Sequence, residues 1–381
     1  MEKRTIKKRI KKVDKTGTTN MLFEVEREAL EQELSTVCKV ASNSILPILA
    51  CVRIQANDKI INLTTSNLAT TISCDVPATV SQPGMCVCPA KILLNVVSAL
   101  QASVLSFSLS SDNKLILSAG EAKYTFLCMS ADDFPESPLV KTNTQIEIEQ
   151  MELKTVLAAV YHAISTDQSR VQLNGVFIKL ANTGLIAVAT DGRRLAKMEM
   201  EIGPSVSTEA IIPTDVVAIV MSLLGKEGEI DIKLSADKAE FTLGRVNIIA
   251  SLVEGEYPNY TQVIPKKGDE NATIVLNRVS LIETLTRASF FSQMEDPIKL
   301  SFAPGLLTTV LDGVSVGSAL ERIKIKHKGD SIEVSVNPKF IIEPLSGLDC
   351  EEITMLLQDS SAPVVIQADS FKAVIMPCRI D

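Results

Sequence analysis

Three leucines at a constant interval constrain this chain more than any single motif in it. Leu100, Leu224 and Leu348 recur every 124 residues, and each closes a helix-like stretch that opens beside a proline. The openings are Pro89-Ala90-Lys91, Pro213-Thr214-Asp215 and Asn337-Pro338-Lys339; proline suits a first helical turn, where its missing N–H is no loss. An earlier helix pattern also recurs, over 27–40, 151–164 and 278–291, with Leu30 and Leu34 matching Leu153 and Leu157, then Leu281 and Leu285. A breaker, Phe134-Pro135, returns as Tyr257-Pro258. Self-similarity at a fixed period means one supersecondary unit used repeatedly.

Between the helices lie short alternating runs at 48–54, 60–65, 70–76, 105–109, 115–118 and 124–129, the spacing of half-buried strands. The pattern predicts an α+β fold: three tandem domains at 21–141, 142–264 and 265–381, each with two helices packed on antiparallel sheets. Joined edge to edge, the copies would merge their sheets and share one helical side. A head-to-tail dimer of such arcs would close a ring. Pro344 is expected to kink or shorten the sixth helix.

Composition narrows the function. With 46% hydrophobic residues the chain has ample core, and no apolar run reaches the 18 or so residues of a membrane helix. Eight scattered cysteines without a C-x-x-C pair, and two histidines, fit buried free thiols in a reducing cytoplasm better than disulfides or zinc. Residues 1–20 carry eight Lys/Arg and read as a basic extension without order of its own, or as sequence upstream of a start at Met21. The net charge of −8 argues against nucleic-acid binding over most of the surface. Adjacent acids such as Asp132-Asp133 and Glu351-Glu352 point apart in a strand or turn, no nucleophile motif is present, and His162 falls on the surface side of its helix pattern.

Thr190-Asp191-Gly192-Arg193-Arg194-Leu195 follows an apolar run. Asp-Gly is a strong turn signal, because both residues tolerate positive φ. Two readings fit: a plain hairpin turn, or a turn that also presents Arg193, Arg194 and Leu195 for recognition. The matching stretch of the first repeat, Thr65-Ser66-Asn67-Leu68, lacks the arginines.

From Met21 onward the chain resembles the bacterial DNA polymerase III β subunit family, the replicative sliding clamps. The resemblance is carried by Met21-Leu22-Phe23-Glu24-Val25-Glu26-Arg27, Leu46-Pro47-Ile48-Leu49, Arg170-Val171-Gln172-Leu173-Asn174-Gly175, the Thr190–Ala196 turn, Tyr257-Pro258-Asn259-Tyr260 and Val374-Ile375-Met376-Pro377-Cys378-Arg379-Ile380. It implies a non-catalytic homodimeric ring of six domains around double-stranded DNA. Its partners would be the replicative polymerase, an ATP-using clamp loader and other proteins with a clamp-binding peptide. No cofactor or membrane is implied, and the sequence has no Walker A motif or G-x-G-x-x-G.

The resemblance also implies site residues. A pocket for a peptide bearing Gln, Leu and Phe would comprise Arg170, Leu173, Thr190, Gly192, Arg193, Arg194 and Leu195, then Pro258 and Val263. The tail would add Val374, Ile375, Met376, Pro377, Cys378, Arg379 and Ile380. Leu173, Val374, Ile375 and Met376 would offer an apolar slot, with methionine able to repack around different peptides. Two buried anchors contribute roughly 3–6 kcal/mol before ordering costs; micromolar binding, about −8 kcal/mol, also needs polar contacts. The chain departs from the family with Gln262 for a basic residue, Pro363 for a small polar one, Arg193 for a histidine, and an added Asp381.

DNA would face Arg27, Lys39, Lys91, Lys154, Arg278, Arg287 and Lys339 through loose, sequence-blind phosphate contacts. Asn43 stands where a basic residue is common, and the fourth helix lacks one altogether. That thin charge also fits a paralogue that keeps peptide binding but has lost DNA loading. Across the dimer, Tyr124 and Phe126 on an edge strand would meet Phe290 and Phe291, unless all four belong to their own cores.

Overall fold

The computed structural model describes residues 21–41, 46–142, 144–181, 184–202, 207–265, 268, 270–291, 296–313 and 317–378. The basic extension and Asn43 lie outside them. Among the described residues are six α-helices: α1 (Arg27–Val37), α2 (Ala90–Ala99), α3 (Gln150–Tyr161), α4 (Thr214–Leu223), α5 (Arg278–Ser289) and α6 (Lys339–Ser346). They pair as α1 with α2, α3 with α4 and α5 with α6.

The threefold repeat is visible in single bonds. Each repeat opens on a strand that runs straight into its first helix: Leu22–Glu26 into α1, Thr144–Glu149 into α3, Ala272–Asn277 into α5. The first helical N–H is an orphan donor in any helix. Here Arg27 N donates to Ser103 O, Gln150 N to Gly228 O and Arg278 N to Glu351 O, each at 2.9 Å. Each acceptor lies between the second helix and the strand that pairs with the opening strand, so one device fixes the helix pair to the sheet three times.

The helices are shorter than their sequence pattern. The first helix of each repeat is capped at its C-terminus by Cys38, His162 or Phe290. α6 is the shortest, at eight residues, and holds Pro344, which has no N–H to give to the carbonyl four residues back. The expected strand at 48–54 is a 3₁₀ turn, Pro47–Ala50, followed by a strand, Cys51–Asn57. The strand expected at 70–76 continues past Pro77 to Gln82.

The chain divides into two compact units, one running to Pro138 with Arg245–Asn247 and the other holding Leu139–Gly244 and Ile248 onward. In the first, antiparallel strands run in the order Ala122–Leu127, Lys114–Ala119, Val104–Leu109, Leu22–Glu26, Thr70–Gln82, with Ile60–Ser66, Cys51–Asn57 and Gly84–Pro89 continuing the pairing. In the second, repeats two and three share one eight-stranded sheet. Its order is Thr208–Pro213, Gly175–Ala181, Gly184–Thr190, Arg194–Met200, Phe371–Ile375, Val364–Ala368, Glu352–Leu357, Ala272–Asn277. The edge-to-edge join expected from the repeats is the pairing of Arg194–Met200 with Phe371–Ile375. α3 packs on one of these strands and α6 on the other. The opposite face carries Phe177, Val188, Leu195, Ile211, Val365 and Val374, covered by Tyr257 and Tyr260.

Candidate functional site

The Asp191–Arg193 turn is built by its own side chains. Asp191 Oδ1 accepts from Arg193 N and Arg194 N, both at 2.9 Å, Gly192 N donates to Thr190 Oγ1 at 3.1 Å, and Thr190 Oγ1 donates to Arg194 O at 2.6 Å. Gly192 takes φ of 87°, which glycine adopts without a Cβ penalty. A Cβ there would stand 2.9 Å from Arg170 Nη1, so the Arg170–Leu173 loop lies against the turn. The same loop reaches the opposite wall, with Gln172 Cβ 4.0 Å from the Cβ position of Gly255. Met376 N donates to Arg193 O at 2.9 Å, and Cys378 N to Ser335 O at 2.7 Å, which seats the tail beside the turn. Tyr257 stacks on Phe177 with ring centroids 4.8 Å apart and holds the aromatic-proline turn over Leu195 and Val374. Burial pushes the Tyr257 hydroxyl well above its ordinary range.

Four sequence-distant segments thus meet on one surface: 170–173, 190–195, 257–263 and 374–378. The sequence-predicted residues divide by side-chain direction. Strand alternation sends Leu195 and its partner Val374 to the outer face, Arg194 and its partner Ile375 to the helical face. Leu173, Leu195, Val374 and Ile375 are all buried. Of the residues expected to offer the apolar slot, Val374 lies with Leu195 beneath the outer face, and Ile375 lies on the far side of the sheet. The accessible apolar rim is Pro258, Val263 at 48% exposure, Met376 at 44% and Val171 at 54%. Arg170, Gly192 and Arg193 are exposed; Thr190, Pro377 and Cys378 are half-buried. Arg379 and Ile380 lie outside the described residues.

Arg194 is the largest departure from expectation. Its side chain is 13% exposed and faces the helices. Nε donates to Asp191 Oδ2 at 3.1 Å, Nη2 to His162 O at 2.5 Å and Nη1 to Glu343, and the guanidinium lies 4.5 Å from the Phe340 ring centre. His162 is half-buried, and both its ring nitrogens are sealed from solvent without a partner among the described residues. Burial, then the Arg194 charge, holds its pKa down to about 4. Sequence reasoning missed Phe340, Glu343 and Phe177; only the α6 pattern, Phe340 and Glu343 one turn apart, signalled the first two.

Profiles of the DNA polymerase III beta subunit match residues 21–138 for the N-terminal domain, 147–259 for the central domain and 261–379 for the C-terminal domain. The chain belongs to the DNA polymerase III β subunit family. A beta sliding clamp from Chlamydia pneumoniae is 30% identical over 366 residues, 94% of this chain and 99% of the relative. The crystal structure of the DNA polymerase III subunit beta from Pseudomonas aeruginosa superposes with a TM-score of 0.90 at 25% identity, over 94% of this chain and all of that one. A Bartonella birtlesii sliding clamp solved bound to griselimycin gives 0.90 at 27% identity, over 95% and 100%.

The remaining candidates fare unevenly against this family frame. Lys39, Lys91 and Lys339 are exposed. Arg27 is paired with Glu28 and Glu31. Lys154 Nζ donates to Leu224 O at 2.8 Å, and Arg278 donates to Cys350 O at 2.6 Å and Leu345 O at 2.9 Å. These two satisfy carbonyls at and beyond the ends of α4 and α6, where cations complement the helix dipole. Arg287 makes a forked pair with Glu321 at 2.9 and 2.6 Å. Of the seven bases expected to face DNA, four are engaged within the protein. Of the four aromatics, Phe126 is a core residue at 6% exposure. Tyr124 and Leu127 are the exposed apolar side chains of that edge strand, and Phe290, 74% exposed, and Phe291 stand out at the end of α5.

Proposed function

We propose that the chain is the processivity clamp of a bacterial replicase: a head-to-tail homodimer that encircles duplex DNA and tethers the polymerase and other partners through the Thr190–Leu195 surface. It is a tether and not an enzyme, and it acts in the bacterial cytoplasm on chromosomal DNA. Three clamp domains at 21–141, 142–264 and 265–381 supply half the ring. The observation that carries the reading is the convergence of 170–173, 190–195, 257–263 and 374–378 on one apolar-rimmed surface in a chain matched by the family over all three repeats. Pro258, Val263, Met376 and Val171 receive the Leu and Phe anchors of a partner peptide, and Arg170 and Arg193 supply polar contacts. A clamp loader opens the ring at a seam that includes Tyr124 and Leu127 on one copy and Phe290 and Phe291 on the other.

The six helices carry Arg27, Lys91, Lys154, Arg278, Arg287 and Lys339 against Glu28, Glu31, Glu33, Glu152, Asp215, Glu283 and Glu343. With six cations against seven carboxylates, topology holds the DNA and phosphate attraction adds little. Loaded clamp should stay on closed circular DNA in high salt and leave when the circle is cut; equal retention on both forms would refute the ring. Griselimycin, which is bound in the Bartonella structure, should displace a labelled partner peptide. Peptide binding without retention on circles would identify the paralogue instead.

A further inference from the structure

A second groove, of about 780 Å³, opens beside the peptide surface in the second repeat. Its apolar side is Phe177, Ile211, Val253 and Tyr257, which also pack around Leu195 and Val374 under the peptide surface. The two surfaces are therefore continuous. The other side carries Glu209, Asp237, Glu254 and Glu256, all exposed. Lys179 pairs with Glu209 and Lys238 with Asp237, but the Glu254 and Glu256 carboxylates have no partner among the described residues. Backbone bonds hold this loop to the sheet: Val253 N donates to Ile211 O at 3.0 Å and Leu252 N to Asp237 O at 2.9 Å. Thr208–Pro213 is the edge strand of the eight-stranded sheet. With Ile211 O turned outward, the alternation of antiparallel pairs turns the N–H and C=O of Glu209 outward too, and no described residue bonds them.

We propose that this groove takes a basic, extended segment flanking the clamp-binding peptide of a partner protein. The inference rests on reading the neighbouring surface as the peptide site. Continuity, charge and backbone each favour this occupant. A segment that leaves the peptide surface over Tyr257 enters the groove directly. Glu254 and Glu256 attract positive charge, yet among the described residues no three such groups converge as ligands of a metal ion would, so the charge arrives on a chain. The open edge at Glu209 offers main-chain bonds to an extended strand, as exposed sheet edges do. Lysine and arginine suit both walls, because their stems cover apolar surface while their heads reach the carboxylates. Partners that compete for one peptide site would then be ranked by the charge of the segment beside their anchors.

The test uses the full chain and fluorescent peptides that share one anchor bearing Gln, Leu and Phe. One has a lysine run before the anchor, one has it after, and one has serines on both sides. At low salt at least one lysine-flanked peptide should bind about fivefold more tightly than the serine-flanked one, and the gain should fade in high salt. The double variant Glu254→Gln, Glu256→Gln should lose most of that gain while binding the serine-flanked peptide as the parent does. Asp132→Asn with Asp133→Asn, an exposed acidic pair of the first repeat, should keep the gain. If neither lysine run helps, or if the gain survives Glu254→Gln, Glu256→Gln, the proposal falls and the peptide site stands. If the Asp132 and Asp133 changes remove the gain equally, net charge is the cause and the proposal falls. If Glu254→Gln, Glu256→Gln alters the mass of the assembly in solution, the groove joins copies of this chain and the proposal falls. If the parent does not bind the serine-flanked peptide, the peptide-site reading falls with it.

Discussion

The first and second repeats build the same hairpin turn and use it differently. In the first, Asn67 Oδ1 accepts from Ala69 N and Thr70 N, Asn67 N donates to Thr70 O, and Leu68 N donates to Ser66 Oγ. In the second, Asp191, Arg193, Arg194, Gly192 and Thr190 make the corresponding bonds. Leu68 and Gly192 occupy the same left-handed position, at φ 77° and 87°. Each turn is also tied to the C-terminal end of its repeat's first helix. Thr65 Oγ1 donates to Val37 O in the first repeat, and Arg194 donates to His162 O in the second, where the residue matching Thr65 is Ala189 and has no hydroxyl. A short bond suffices where the hairpin serves its own domain. A long arginine is needed where the turn must also reach the next repeat.

The comparison breaks most sharply at Arg194. Arg194→Ala leaves Asp191, Glu343 and the His162 carbonyl without their shared donor. Glu343 is partly hydrated, which moderates the loss, so the expected destabilisation is about 3–4 kcal/mol. Urea unfolding measures it. A cost under 1 kcal/mol would mean that water replaces the guanidinium and that the reach to the next repeat is ornamental. In the first repeat, Thr65→Val removes one buried donor from Val37 O and should cost about 1 kcal/mol.

The helix ends tied to these turns differ in charge behaviour. Cys38 caps α1 and its thiol is pushed up to about 11 by burial, so it stays neutral through the physiological range. His162 caps α3 and is held down to about 4 from 6.5. Between those two values the unfolded chain binds a proton that the folded chain refuses. Stability contributed at this site is therefore constant above pH 6.5 and falls as pH drops toward 4. The full loss is about 3 kcal/mol, of which about 2 kcal/mol is expressed by pH 5. His162→Gln should flatten unfolding free energy between pH 7 and pH 5 relative to the parent; an unchanged slope would assign the pH dependence to carboxylates elsewhere.

Much of this was legible in the sequence, and what was not has a physical reason. Leucine spacing and the proline openings located the helices, since periodic burial writes itself into every copy. The strand that continues past Pro77 was hidden because proline reads locally as a stop while the pairing partners sit far away. At the site, the segments were legible but the directions of their side chains were not. Leu195 and Val374 form a floor because two strands from different repeats pair, a register that no local pattern encodes. Arg194 looked like a surface arginine because its partners, Phe340 and Glu343, lie in the next repeat. The bonds of Lys154 and Arg278 were hidden by distance along the chain: the carbonyls that engage them are 70 and 67 residues away within the same repeat.

The smallest expected effects test whether the two turns share one backbone requirement. Leu68 holds a conformation in which a side chain is strained by about 1–2 kcal/mol, and it is 63% exposed, so little packing offsets the strain. Leu68→Gly relieves it but gives the unfolded chain more freedom, worth about 0.5–1 kcal/mol. The net expectation is a stabilisation of about 0.5–1 kcal/mol. Gly192→Ala imposes the same strain with the opposite sign, and its methyl would crowd Arg170 Nη1, the flexible end of a side chain that can move aside. Its cost should therefore be about 1 kcal/mol, accompanied by altered peptide affinity that Leu68→Gly does not show. If Leu68→Gly destabilises instead, the exposed leucine has a packing role in the first repeat, and the left-handed position is not the feature the two turns have in common.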